Sequence, residues 1–95
     1  MKEFYLYILR CRDESYYTGQ ASDVESRVNT HKLGIIKSCY TYKRRPVELV
    51  YAAALMTRKE AFAAERQIKK WTRKKKEALI LGKFDLLQAF SKKKF

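Results

Sequence analysis

Apolar and polar residues along this chain fall into runs of strand length separated by stretches with helical spacing. Phe4-Tyr5-Leu6-Tyr7-Ile8-Leu9 is an unbroken apolar and aromatic run, the pattern of a strand covered on both faces. Side chains alternate along a strand, so Tyr5, Tyr7 and Leu9 share one face while Phe4, Leu6 and Ile8 share the other. The polar stretch Arg10 to Ser15 separates this run from Tyr16-Tyr17-Thr18-Gly19, and the two runs read as a hairpin. Gly19 is expected to end the second strand, where the backbone bends or a ligand approaches closely.

Ser22-Asp23-Val24-Glu25 has the form of a capping box and predicts a helix start at Ser22. Val24, Val28 and His31 mark its inner side, with Arg27 one turn before His31 and Gly34 closing the helix. Residues 35–45 have no regular pattern and end in Lys43-Arg44-Arg45 before Pro46. The segment from Val47 to Leu55 predicts a third strand, with Val47, Leu49, Tyr51, Ala53 and Leu55 on one side. Thr57-Arg58-Lys59-Glu60 is a second capping box, opening a helix that runs to about Trp71. At about 100° per residue, Ala61, Phe62, Ala64, Ile68 and Trp71 form one apolar arc, and Glu65 falls inside it. Residues 73–81 predict a short basic helix ending near Gly82, Phe84 to Phe90 a last helix, and residues 91–95 a frayed basic tail.

Composition narrows the class. At 95 residues, the chain suits one domain with a modest core, centred on about residues 4–82. A hydrophobic share of 46% with 14% aromatics argues for a folded globule rather than a disordered basic tail. The net charge is +12, and it is concentrated late in the chain: residues 57–95 hold 13 basic and 4 acidic residues, hence +9, against +3 for residues 1–56. Such a surface attracts polyanions, nucleic acid above all, although a merely solubilising face would look the same. Cys11 and Cys39 form no CxxC or Cys/His cluster, which argues against a disulfide framework or a structural zinc site. Lys2 and Glu3 lead directly into a strand-like run, no signal peptide is expected, and no stretch approaches the ~20 apolar residues of a membrane span. The expected location is cytoplasmic.

Several side chains carry candidate chemistry. Glu65 on an apolar arc is costly unless it is paired or holds a metal. One carboxylate with phosphate oxygens and waters is an adequate Mg²⁺ site, and a structural salt bridge would serve equally well. Tyr7 or Tyr17 could act as a base on an attacking water if neighbouring cations lower the phenol pKa, or could simply pack. Arg27 could clamp a phosphate and His31 could orient water or move a proton; helix packing is the plain alternative for both. Lys43, Arg44 and Arg45, with Lys69, Lys70, Arg73, Lys74, Lys75 and Lys76, suit phosphate contacts that carry no base-reading information. Trp71 could stack on a base, but its arc position favours the core.

With these residues in order, the chain resembles the GIY-YIG nuclease family, particularly its small single-domain bacterial branch, over about residues 4–82. Leu6 to Cys11 resembles the first motif strand and Tyr17-Thr18-Gly19 the second motif. Residues 23–31 are similar to the family's Arg-and-His helix and residues 64–71 to its glutamate helix. Cys39-Tyr40-Thr41 followed by residues 44–51 resembles a stretch typical of the small branch. The resemblance implies an α/β architecture of the α+β type, a small three-stranded antiparallel sheet flanked by helices. It also implies hydrolysis of DNA with one divalent metal, Mg²⁺ or Mn²⁺. On that match Tyr7 is the base, Tyr17 hydrogen-bonds nearby, Arg27 holds the scissile phosphate, His31 assists and Glu65 binds the metal. Three positions depart from larger family members: Tyr5-Leu6 replace a Gly at the first motif, Gln20 stands where some have Lys, and Asn29 is the sole Asn, upstream of Glu65.

The leading expectation is a metal-dependent endonuclease hydrolysing phosphodiester bonds of DNA, in branched, damaged or single-stranded forms, during repair or processing. The alternatives are a non-catalytic basic nucleic-acid-binding module of the same fold, and a protein-interaction domain recruiting a repair partner.

Overall fold

The computed structural model describes residues 4–55 and 57–82; the helix and tail expected beyond residue 83 lie outside them. Three antiparallel strands, β1 (Phe4–Cys11), β2 (Tyr16–Ala21) and β3 (Val47–Leu55), form one sheet in the order β2-β1-β3. The expected small antiparallel sheet flanked by helices is therefore the observed one. Helix α1 (Val24–Leu33) lies between β2 and β3 in the chain, and α2 (Arg58–Lys69) and α3 (Arg73–Ile80) follow β3. Among the described residues no helix is long and apolar enough to cross a membrane.

The central strand is apolar on both faces because both are covered. Leu6 and Ile8 pack with Leu55, Ala61, Ala64, Ile68 and Leu79, under α2 and α3. Tyr7, Leu9 and Cys11 pack with Ala21, Val28 and Val47, under α1. Each fully buried aliphatic side chain contributes about 1.5–3 kcal/mol of transfer free energy. Ala61 and Ala64 leave no space beneath α2, so that helix sits close to the sheet and larger side chains there would force it off.

The helix ends follow local chemistry. The Thr57 hydroxyl accepts from the Glu60 amide at 3.0 Å while the Glu60 carboxylate accepts from the Thr57 amide at 3.2 Å, a complete capping box. Gly34 closes α1 in the left-handed region at φ 67°, and a Cβ there would come within 2.5 Å of the Arg45 guanidinium. Helix α1 starts one residue later than expected: Asp23, not Ser22, is the cap, its carboxylate accepting from the Ser26 amide at 3.1 Å. A carboxylate satisfies the same amide and also complements the positive helix end.

Four further expectations are corrected. Gly19 does not end β2; it pairs with Tyr7 inside the ladder. The five alternating residues of β3 do not share a face, because a bulge shifts the register between Ile8, opposite Tyr51, and Leu9, opposite Leu49. Val50 is the extra residue, so Tyr51, Ala53 and Leu55 face α2 whereas Val47 faces α1. Phe62 is 52% exposed; at the rim of the arc it lies under Arg66, whose guanidinium is 5.8 Å from the ring. Helix α2 also stops at Lys69, and Trp71 packs from the turn after it.

Candidate active site

Tyr7 and Tyr17 stand on the α1 face of adjacent strands, and α1 lays His31 against them. The Tyr7–Tyr17, Tyr7–His31 and Tyr17–His31 ring centroids are 6.4, 5.9 and 5.1 Å apart. Gly19 makes this possible: a Cβ at that position would lie 2.5 Å from the Tyr7 hydroxyl and 2.6 Å from its Cζ. The Tyr7 ring thus crosses its strand neighbour where only hydrogen fits.

A line of hydrogen bonds runs inward from Tyr7. The Tyr7 hydroxyl is 2.9 Å from His31 Nε2, and His31 Nδ1 is 2.9 Å from the Thr41 hydroxyl, all three residues being buried. Thr41 donates to Cys39 Sγ at 3.5 Å. With its proton directed to the sulfur, the Thr41 oxygen accepts Nδ1–H from His31, which leaves Nε2 as the acceptor for the Tyr7 hydroxyl. Burial and the charge of Arg27 hold the His31 pKa below its ordinary value, so the ring is neutral near pH 7. Burial pushes the Cys39 thiol up, but hydrogen bonds from Thr41, Tyr17 and the Tyr40 backbone outweigh it and leave the thiol below its usual range.

Tyr7 itself is not an ionised phenol. Burial, reinforced by Tyr17, raises its pKa well above the ordinary tyrosine value, and Arg27 offsets this only in part. Burial also pushes Tyr17 up to about 12, with contributions from Cys39 and Glu65 against Arg27. The condition set for base action by an ionised phenol, a pKa lowered by neighbouring cations, is not met: desolvation outweighs one exposed guanidinium.

The remaining candidates converge on the same place. Arg27, exposed on α1, acts electrostatically on Tyr7, Tyr17 and His31. Glu65 comes from α2, across the sheet, and its charge reaches Tyr17 past the open edge of β2. Its side chain is only 16% exposed and pairs with Lys69 at 2.9 Å, the lysine being half in solvent. Lys69 Nζ also lies 5.9 Å from the Tyr17 ring centre. Tyr7, Tyr17, Arg27, His31 and Glu65, scattered over almost sixty residues of sequence, thus form one cluster.

The basic residues divide into two groups. Arg44 is bound to Asp13 at 3.1 Å and to the Tyr40 carbonyl at 2.9 Å, and Arg45 donates to the Tyr42 carbonyl at 2.9 Å. These two brace the segment that carries Tyr40 and Thr41. Arg73 is likewise held by Glu77 at 3.1 Å and by the Glu14 carbonyl. Lys43, Lys70, Lys74 and Lys75 are exposed, Lys75 resting 5.0 Å from the Trp71 ring centre. Lys76 is half-buried. Sequence reasoning assigned no role to Thr41 or Cys39; the available signal was His31 on a helix's inner face, since a buried imidazole needs partners for both nitrogens.

Glu65 is the carboxylate of the cluster that would hold a divalent cation. Among the described residues no group of three or more His, Cys, Asp or Glu could cage a metal. That donor set is wrong for zinc but suits Mg²⁺, which retains water and binds through one or two carboxylates plus substrate phosphate. The pair with Lys69 at 2.9 Å is the salt bridge that the sequence left open as the alternative role of Glu65.

Comparison with known proteins places the chain in a family. The GIY-YIG catalytic domain matches residues 3–78. The chain belongs to the GIY-YIG family. The UPF0213 protein YazA of Bacillus subtilis (strain 168) is 46% identical over 76 residues, covering 80% of this chain and 76% of that protein. A UPF0213 protein of Haloquadratum walsbyi is 47% identical over 84 residues, covering 88% and 93%. Two solution NMR structures share the fold. A UPF0213 protein from Bacillus halodurans gives a TM-score of 0.53 at 40% identity, covering 82% of each chain. A protein from E. faecalis gives 0.59 at 40% identity, covering 84% of each. GIY-YIG domains form a nuclease superfamily whose members commonly use divalent metal ions.

Proposed function

We propose that this GIY-YIG domain is a metal-dependent endonuclease that hydrolyses phosphodiester bonds of DNA. The observation that carries the reading is the Tyr7–His31 bond, which gives a neutral phenol a route to act as a base. As a water molecule attacks phosphorus, Tyr7 Oη takes its proton and releases its own to His31 Nε2. Thr41 holds Nδ1–H and so keeps Nε2 free to receive it. The phenol therefore never has to ionise ahead of the reaction, and the neutral imidazole supplies the basicity. Arg27 neutralises charge that develops on the non-bridging oxygens, and Tyr17 fixes the edge of the pocket where the phosphate arrives. Glu65 would hold the Mg²⁺ or Mn²⁺ ion, whose contribution when bound is Lewis-acid stabilisation of the phosphate and the leaving oxygen. The exposed lysines of α3 supply sequence-independent affinity for the strand.

The test is nicking of supercoiled plasmid and of flap, bulge and single-stranded oligonucleotides, with and without Mg²⁺ or Mn²⁺. Tyr7→Phe removes one oxygen, keeps the ring and should cost roughly 10²–10⁴-fold in rate. Glu65→Gln should abolish metal-dependent cleavage while DNA affinity stays nearly intact, because that affinity comes from lysines and arginines. Either variant cutting at the wild-type rate overturns the assignment. A wild-type protein that binds DNA and cuts none of these forms makes it a binding module instead.

A further inference from the structure

A cavity of about 350 Å³ opens along the outer edge of β2, lined by Tyr16, Tyr17, Thr18, Tyr40, Lys69 and Lys76. Its size falls in the small-ligand range of about 300–1,000 Å³. It shares Tyr17 with the cluster described above but lies beyond the hydrogen-bonded line from Tyr7 to Cys39, which does not use it.

Three features of the lining point to one kind of ligand. Thr18 is only 2% exposed, and its hydroxyl has no hydrogen-bond partner among the described residues. A buried hydroxyl without a partner is costly, and the fold carries that cost unless a ligand supplies the missing bond. Lys69 and Lys76 both face the cavity; among the described residues no carboxylate lines it, although Lys69 is also held by Glu65 at 2.9 Å, so Lys76 is the ammonium there without a carboxylate at salt-bridge distance. Burial and the charge of Lys69 hold the Lys76 ammonium below its ordinary pKa, a strain that an anion between the two lysines would relieve. Finally, Tyr17 and Tyr40 line the cavity as a stacked pair, 21° apart in plane with centroids at 6.1 Å, and so give it one aromatic wall. Arg44 lies 3.8 Å from the Tyr40 ring centre and steadies it.

An aromatic wall, two ammonium groups and a buried hydroxyl together complement a single nucleotide. We propose that this cavity is a subsite for one unpaired nucleotide of the strand being cut. Its base lies against Tyr17 and Tyr40, its phosphate on Lys69 and Lys76, and a polar base or sugar atom on the Thr18 hydroxyl. A base in intact duplex has both faces covered by its neighbours and cannot offer one to a tyrosine, whereas an unstacked base can. The subsite rests on the nuclease reading and narrows its substrate to DNA with an unpaired nucleotide: a flap, a bulge or a single strand.

Binding to the metal-free protein separates the two ideas. Thymidine 5′-monophosphate, thymidine and inorganic phosphate are titrated in turn, followed by the Thr18 methyl resonance and the backbone amides of β2. The monophosphate should shift Thr18 at concentrations where thymidine or phosphate alone leaves it in place. Thr18→Val keeps the shape, removes the hydroxyl and should weaken monophosphate binding by about three- to tenfold, while Thr18→Ser should restore it. Lys76→Gln should weaken it by about tenfold or more, because a charge-assisted bond is lost. Equal binding of phosphate and monophosphate, or unchanged affinity in Thr18→Val, overturns the subsite. Monophosphate bound at Thr18 in a protein that cuts no DNA upholds the subsite and refutes the nuclease. Cleavage that depends on Tyr7 and Glu65, with no nucleotide detected at Thr18, does the reverse.

Discussion

Adding one methyl group at Gly19 should disable the site without touching any polar residue. A Cβ there lies 2.5 Å from the Tyr7 hydroxyl and 2.6 Å from Cζ, whereas carbon and its neighbours rest at about 3.5–4.0 Å. The deficit is about 1 Å. Tyr7 is 1% exposed and packed with Leu9, Val28 and Val47, so its ring cannot swing into solvent to make room. It must slide, and a slide of about 1 Å takes the 2.9 Å contact with His31 past hydrogen-bonding range. Overpacking costs about 1–3 kcal/mol and the lost bond about 1 kcal/mol more. Gly19→Ala should therefore lose about 2–4 kcal/mol of stability, a fall in Tm of roughly 10–30 °C for a domain of this size.

Thermal melts measure the first effect, and cleavage of a plasmid well below the melting range measures the second. A misplacement of about 1 Å at the reacting group is worth about 10²-fold in rate. Tyr7→Phe in the Gly19→Ala background removes the nearest atom and should recover part of the lost stability, although it cannot recover activity. Gly19→Ala with the melting temperature and nicking rate of the wild type would refute the close approach of Tyr7 to β2. A variant that lost stability with no recovery in the double mutant would place the clash elsewhere.

Two further outcomes follow from the charges. His31 has a folded-state pKa depressed by burial and by Arg27, so as the pH falls through about 6.5 the unfolded chain takes up the proton first. Its contribution to stability is complete above that value and declines as the pH drops toward the folded-state pKa; melts between pH 5 and 8 should show this slope in the wild type and lose it in His31→Gln. For DNA binding, the logarithm of affinity should fall linearly with the logarithm of salt, by about −0.9 per phosphate contact on duplex. Replacing exposed Lys70 and Lys74 with Glu should reduce that slope by about two contacts for every sequence alike, and a flat salt response or a sequence-selective loss would contradict a backbone-tracking surface.

The elements legible in the sequence are those fixed by near neighbours. The run from Phe4 to Leu9 announces a central strand because it is apolar at every position, and Thr57 with Glu60 announces a helix start because both bonds of the box close within three residues. Where two adjacent residues can do the same job, as Ser22 and Asp23 can at the start of α1, the sequence leaves the position open by one. The bulge at Val50 is of another kind. It depends on how β3 meets β1 across the sheet, and no pattern within β3 distinguishes nine alternating residues from a strand that changes face halfway. Gly19 shows the same limit: a glycine inside a strand can mean an end, a bend or a crossing side chain, and only its partner Tyr7 decides.

The site was legible as a set of residue types and not as a circuit. The five residues could be assembled by resemblance, yet their acid–base roles depend on burial that no motif records. Counting charges alone, a tyrosine beside Arg27 in a protein of net charge +12 should be unusually acidic. In the fold it is the reverse, because losing water penalises the phenolate more than one guanidinium favours it. That inversion changes the chemistry required. A phenol that resists ionisation can serve as a base only if something behind it receives its proton, and the neutral imidazole of His31 is 2.9 Å away with its other nitrogen bonded to Thr41. The segment carrying Thr41 is regular in neither pattern nor charge, and Arg44 and Arg45 brace it where Thr41 meets His31. The most inconspicuous stretch of the sequence thus fixes the proton inventory of the most conspicuous residues.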